Sequence, residues 1–252
     1  MVMKVDLNSD MGEGFGPWTM GDDAALLDVI TSANIACGFH AGDPDVMAKT
    51  MRLAAKNGVG IGAHPGFADL KGFGRRRLNI GAEELGNLIT YQLGAAQGMA
   101  ASVGTKVRHF KLHGALSNMC SEDASLARTC YEAALRVDPD IILMVLCETA
   151  QQKVVTDLGA NWAGEIFADR AYEDDATLVD RSKAGAVLHD ADVAAERILT
   201  MLREDAIVAE SGKRIPAKID TICLHGDTPE AVTMARALRE KLSAAGVTLA
   251  QF

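Results

Sequence analysis

Residues 34–64 read NIACGFHAGDPDVMAKTMRLAAKNGVGIGAH, a strand, a helix and a second strand in one stretch. Asn34–Cys37 is a short run of strand type. Asp43 then offers a capping carboxylate and Pro44 suits a first helical turn. The pattern predicts a helix over Pro44–Asn57 that stops at Gly58. Gly60–Ala63 begins the next strand and runs directly into His64.

The same alternation continues on both sides. Further strands are expected at Met3–Leu7, Phe110–Leu112, Ile141–Leu146, Glu165–Ala168 and Thr221–Leu224. Between them, helical patterns cover Glu83–Val103, Ser121–Val137, Thr149–Leu158, Asp190–Leu202 and Pro229–Ala245. Leu85, Leu88, Ile89 and Leu93 fall near helical spacing. Ser121-Glu-Asp offers an N-cap followed by acids that suit the helix dipole. Strands alternating with helices imply a parallel sheet with helices outside, either a closed barrel or an open sheet. No Gly-x-Gly-x-x-Gly follows the first strand and no Walker loop occurs, which removes the main argument for a nucleotide-binding open sheet. The expectation is one α/β domain over residues 1–252, a seven-stranded parallel β/α barrel. Asp169–Val187 and Asp205–Lys218 break the pattern and are expected to be hairpins or lids.

Composition narrows the class. The 252 residues are 48% hydrophobic, enough to bury a core without staples, and only 5% aromatic. A net charge of −9 argues against a nucleic-acid partner. The longest apolar strand-like run, Ile141–Cys147, is far too short to span a bilayer. Asp6 and Asn8 stand where a signal peptide would need apolar residues, so no membrane partner and a cytoplasmic location are expected. Five cysteines (Cys37, Cys120, Cys130, Cys147 and Cys223) make an odd set with no Cys-x-x-Cys pair, and free buried thiols are expected.

Chemistry collects after the strands. The first runs into Asp6-Leu-Asn8-Ser-Asp10-Met-Gly-Glu13, and the second into His40. The third gives His64-Pro-Gly and then Gly72-Phe-Gly-Arg75-Arg76. The fourth gives Lys111-Leu-His113 and Asn118, the sixth Asp169-Arg170, and the seventh His225-Gly-Asp227. A barrel sets all such ends on one face. Asp6, Asn8 and Asp10 alternate, so they share a strand face and are expected to point into the barrel mouth. A single histidine after a strand is ordinarily a structural one, and Gly72–Arg76 alone could be a solvated basic loop. Six polar strand ends together point to a site. Asp10, His40 and His64, with His113, also have the chemistry for a divalent metal ion. Neutral imidazoles serving as general acids and bases are the alternative. The Asp-x-Asn-x-Asp run lacks the distal Glu of a calcium loop.

Several blocks resemble the LamB/YcsF family. They are Asp6-Leu-Asn-Ser-Asp-Met-Gly-Glu-Gly14, Ser32-Ala-Asn-Ile-Ala-Cys-Gly-Phe-His-Ala-Gly-Asp43, Ile61-Gly-Ala-His-Pro-Gly66, Phe73-Gly-Arg75, Phe167-Ala-Asp-Arg170 with Tyr172, and Cys223-Leu-His-Gly-Asp227. The resemblance runs through the whole chain in order. It implies a seven-stranded barrel like that of the glycoside hydrolase/deacetylase group. It also implies hydrolysis of 5-oxo-L-proline to L-glutamate coupled to ATP hydrolysis. The chain would be the hydrolytic component, working with 5-oxoprolinase subunits B and C, with ATP as co-substrate of the complex. Three positions depart from the related patterns: Leu112 where the family has Pro, Ser117 where it has Tyr, and Met11 where related deacetylases carry a second Asp.

Strand-end placement and the resemblance together suggest roles. Asp10 or His40 would be base toward a water, and His113 or His225 would protonate the departing ring nitrogen. Lys111 and Arg75 would offer positive charge to a carboxylate or phosphate. Asn8, Glu13 and His64 would orient these groups, and Asp6, Asn118, Asp169, Arg170 and Asp227 complete the expected substrate-binding set. Two other readings stay open: a metal-dependent amide hydrolase or deacetylase, and a non-catalytic lactam-binding subunit.

Overall fold

The computed structural model describes residues 3–188, 190–224 and 229–252, without the side chains of 229–231. The first units are β1 (Lys4–Met11), α1 (Asp23–Leu27), β2 (Ser32–Ala36), α2 (Pro44–Lys56), β3 (Gly60–His64) and α3 (Ala82–Ser102). Next come β4 (His109–Lys111), α4 (Gly114–Glu122), α5 (Ala124–Val137), β5 (Ile142–Leu146), α6 (Ala150–Asp157) and β6 (Trp162–Phe167). The chain closes with α7 (Ala191–Glu204), β7 (Ala206–Val208), β8 (Arg214–Pro216), β9 (Thr221–Leu224), α8 (Pro229–Ala244) and β10 (Thr248–Leu249).

Strands β1 to β6 pair in chain order, all parallel, and β9 pairs with both β6 and β1. The sheet is therefore a closed seven-stranded barrel, as expected. Closure rests on the register Asp6↔Thr221 and Asn8↔Cys223. β10 extends the sheet beside the start of β1, at Lys4↔Thr248. The barrel strands are covered outside by helices, so Leu7, Ile35, Ile61, Phe110, Val145, Ile166 and Ile222 are buried at 2% exposure or less. Burying each such side chain contributes roughly 1.5–3 kcal/mol. Among the described residues no helix is long and apolar enough to cross a membrane.

The α2 boundary behaves as its sequence demands. Asp43 accepts from the amides of Asp45 and Val46, and Pro44 opens the helix. The helix expected over Ser121–Val137 is split. The chain turns into α4 directly after His113, and Ser121 lies inside it. Asp123, extended, breaks the path and caps α5 through the amides of Ser125 and Leu126. Of the two irregular stretches, 205–218 holds the antiparallel hairpin β7–β8. Residues 169–187 form an arch tied by the bridges Arg170↔Val187 and Tyr172↔Leu178. The Tyr172 hydroxyl accepts from the Phe167 amide at 2.8 Å, which anchors this arch to β6. All five cysteines are free and buried, as expected.

Candidate active site

Strand β1 is longer than its sequence pattern suggested, so Asn8, Ser9 and Asp10 belong to it. Its inward positions Asp6, Asn8 and Asp10 stack at three depths in the barrel. Asp6, the deepest, accepts from the hydroxyls of Thr31, Ser32 and Thr221. It is fully buried and does not line the cavity, where the sequence had led to a substrate-binding expectation. Burial raises the Asp6 carboxyl pKa despite its three hydroxyl donors.

One level up, Asn8 donates to Thr221 Oγ1 at 2.8 Å and accepts from Asn34 at 2.7 Å. Asn34 Oδ1 in turn meets His109 Nε2 at 2.8 Å. His109, outside the expected strand, begins β4 and points inward like Lys111 two residues on. Gly62 makes room for it, since a Cβ there would lie 2.1 Å from His109 Nε2.

The upper level carries the charge. Lys111 Nζ lies 2.9 Å from Asp10 Oδ1, 2.7 Å from Glu165 Oε1 and 3.2 Å from Cys223 Sγ. Burial works against the Lys111 charge, but the nearby anions Asp10 and Glu165 outweigh it and hold its pKa well above the ordinary lysine value. Burial likewise opposes ionised Asp10, yet His64 and Lys111 bring its pKa well below the carboxylate range. Glu165, deeper, is raised by burial despite Lys111. Lys111 thus holds an ammonium beside ionised Asp10 and within 2.7 Å of Glu165, with the Asp10 side chain 18% exposed.

Beside this pair sit three histidines. His64 Nε2 is 3.2 Å from Asp10 Oδ2, and its Nδ1 is 2.9 Å from the Lys111 carbonyl. His113 Nδ1 is 3.0 Å from His64 Nε2, and its Nε2 is 2.8 Å from the Phe73 carbonyl. Phe73 is left-handed at φ 53, a conformation that costs a non-glycine residue about 1 kcal/mol and here aims a carbonyl at the site. His40 stacks on His113 with ring centroids 3.7 Å apart. Burial first, and neighbouring imidazoles second, push His40 and His113 well below the ordinary histidine value. Glu13, from the loop after β1, brings Oε1 to 3.8 Å from His40 Nε2 and 3.9 Å from His113 Nδ1.

Asp10, Glu13, His64, Lys111 and His113 line a cavity of about 650 Å³, together with Arg75, Asn118 and Arg170 among others. His40, expected as a base toward a water, is fully buried and does not line the cavity; its ring is stacked on that of His113, which does. Asp169 also lies outside the wall, within the arch. Arg170 donates to the carbonyls of Val179 and Ala186, so it braces the arch as well as facing the cavity. The basic loop divides its labour. Asp69 binds Arg76 and the Gly72 amide, while Arg75 lies over the Phe73 ring at 4.9 Å and reaches the cavity. His225 and Asp227 lie outside the described residues, as does His189. Glu165, Asn34, His109 and Cys223 were not foreseen as site residues. Their inward alternation on β6, β2, β4 and β9 was the available signal.

The family model for LamB/YcsF matches residues 5–252. This chain belongs to the LamB/YcsF family. The A subunit of 5-oxoprolinase from Ruegeria pomeroyi is 65% identical over 251 residues, covering 100% of this chain and 99% of the relative. The crystal structure of a lactam utilization protein from Thermus thermophilus superposes with a TM-score of 0.93 at 39% identity, covering 99% of this chain and 100% of that one. A T48 deacetylase solved with substrate shares the fold alone, at a TM-score of 0.52 and 16% identity, covering 99% of this chain and 88% of that one. The departures noted in the sequence are now placed within this LamB/YcsF chain. Met11 is buried at 1% exposure and packs in the core, so it replaces no ligand in the cavity. Leu112 and Ser117 both line the cavity, and the Ser117 hydroxyl accepts from Gln151 at 3.1 Å.

Proposed function

We propose that this chain is the A subunit of an ATP-dependent 5-oxoprolinase and opens the lactam ring of 5-oxo-L-proline to give L-glutamate. The observation that carries this reading is the 65% identity, over the whole length, to a relative of that name. The likeness to a lactam utilization protein supports the same substrate class.

The chemistry asks for specific groups. A five-membered lactam is a resonance-stabilised amide, so its opening needs an activating step. Phosphorylation of the amide oxygen by ATP makes the ring carbon electrophilic. Water then adds to that carbon, the ring C–N bond breaks as the nitrogen takes a proton, and an acyl phosphate remains. A second water releases phosphate and leaves the glutamate side chain. One ATP and two waters are consumed.

The cavity supplies what the ring-opening half requires. Asp10 lines the cavity ionised and partly exposed, placed to accept the proton of an adding water. Lys111, held cationic beside it, stabilises negative charge developing on oxygen. Arg75 and Arg170 on the wall suit the substrate carboxylate and the phosphoryl group. The sequence carries no Walker loop, so we assign the ATP-using step to partner subunits B and C or to an interface with them.

The test is ATP-dependent glutamate release by this chain co-expressed with its B and C partners. Asp10→Asn and Lys111→Met should each lower kcat by about 10²–10⁴-fold with the circular dichroism spectrum unchanged. Wild-type turnover in both variants sinks the reading.

A further inference from the structure

The hydrogen bonds of His64 and His113 leave a problem in the cavity lining. A carbonyl oxygen can only accept, so His64 Nδ1 must donate to Lys111 O and His113 Nε2 must donate to Phe73 O. In neutral imidazoles the opposite nitrogens, His64 Nε2 and His113 Nδ1, then carry lone pairs. These two atoms face each other at 3.0 Å, and Asp10 Oδ2 lies 3.2 Å from the same His64 nitrogen. Three acceptors converge with no hydrogen between them.

Either an added proton or a metal ion sits among them. One extra proton on His64 Nε2, donated to Asp10 Oδ2 and His113 Nδ1, would resolve that convergence. It would not account for His40, which is fully buried with neither ring nitrogen hydrogen-bonded among the described residues. It would not account for Glu13 either, whose Oε1 stands 3.8 and 3.9 Å from His40 Nε2 and His113 Nδ1. Those gaps are too long for hydrogen bonds. They are close to the separation of about 3.4 Å between two ligands of one tetrahedral ion with bonds near 2.1 Å. Donor atoms from Glu13, His40, His64 and His113 all lie within 4.8 Å of one another.

We propose that Glu13, His40, His64 and His113 form a binding site for one divalent transition-metal ion of the zinc or cobalt type. Three imidazoles and one carboxylate are a donor set such ions favour. The Lys111 and Phe73 carbonyls fix the tautomers that present the ligating nitrogens, the arrangement that outer partners of metal-bound histidines provide. When bound, the ion would supply a Lewis acid beside Asp10. This site stands apart from the lactam reading, since the chain either binds the ion or does not, whatever its substrate.

Titration of the chelator-treated full chain with Co²⁺ tests it directly. The expected result is saturation at one equivalent, a strong visible absorption of low-symmetry four- or five-coordinate Co²⁺, and a rise in Tm. Glu13→Gln and His113→Gln should each weaken binding by about 10–100-fold or more. Should either variant fail to fold, proton NMR of the wild-type Co²⁺ form gives an independent readout. His64 and His113 should each show a strongly shifted, slowly exchanging ring N–H, protected by its carbonyl. The proposal is overturned if the wild-type chain shows no saturable binding. It is overturned equally if both variants bind as well as wild type, or if no shifted imidazole signals appear.

Discussion

Lys111 concentrates the site's electrostatics in one side chain. It is buried at 4% exposure, yet two carboxylates flank its ammonium at 2.9 and 2.7 Å. Isolated, such a charge would be costly; between Asp10 and Glu165 it is held. Lys111→Met reverses this by leaving two buried carboxylates facing each other. Glu165, already raised above its ordinary value near 4.5 by burial, would rise further. A carboxyl whose folded pKa is raised contributes stability that is present below the unfolded pKa and lost as pH rises through the folded one. Urea denaturation of Lys111→Met should therefore show a variant closest to wild type at about pH 4–5 and increasingly destabilised towards pH 8. A pH-independent difference would contradict the assigned pairing.

At the scale of elements, the barrel interior is fitted around its polar side chains. β3 carries Gly62 where β4 sends His109 inward. Gly62→Ala puts a methyl into the imidazole and should cost about 3 kcal/mol, lowering Tm by roughly 6–12 °C. The double variant Gly62→Ala/His109→Ala should regain part of that loss, because the clash is gone. If the single variant melts like wild type, the close approach of β3 and β4 is wrong. Element boundaries in the sequence were readable wherever a cap was unambiguous, as at Asp43. They were not readable at α4 and α5, where Ser121 and Asp123 are both cap-type residues and packing chose the second. Helix α1, with five residues, is too short to show a period.

At the scale of the molecule, closure of the barrel is a polar as well as a hydrogen-bonded seam. Thr221 on β9 donates to Asp6 and accepts from Asn8, both on β1. Thr221→Val keeps the shape but removes one hydrogen bond from each of two buried polar groups, Asp6 and Asn8. It should lower the urea midpoint by the equivalent of about 2–3 kcal/mol with the m-value unchanged. A loss below about 0.5 kcal/mol would mean that the seam contributes nothing beyond its backbone pairing.

The amino-acid sequence by itself pointed to about seven strand–helix units and to one face for the candidate site, and its resemblance to a known family implied closure into a seven-stranded barrel. Strand and helix periodicities are local, and parallel connectivity sets every strand end on one face. Asp10, Glu13, His64, Arg75, Lys111 and His113 were legible for that reason, and all six line the cavity. Depth and partnership were decided only by the tertiary structure. Asp6 and Asp10 share one alternation on one strand, yet the first meets three hydroxyls below and the second meets Lys111 and His64 above. His40 and His113 both follow strands, yet stacking sets one behind the other. The reason is that alternation tells which way a side chain points, while its environment depends on which strands close against it.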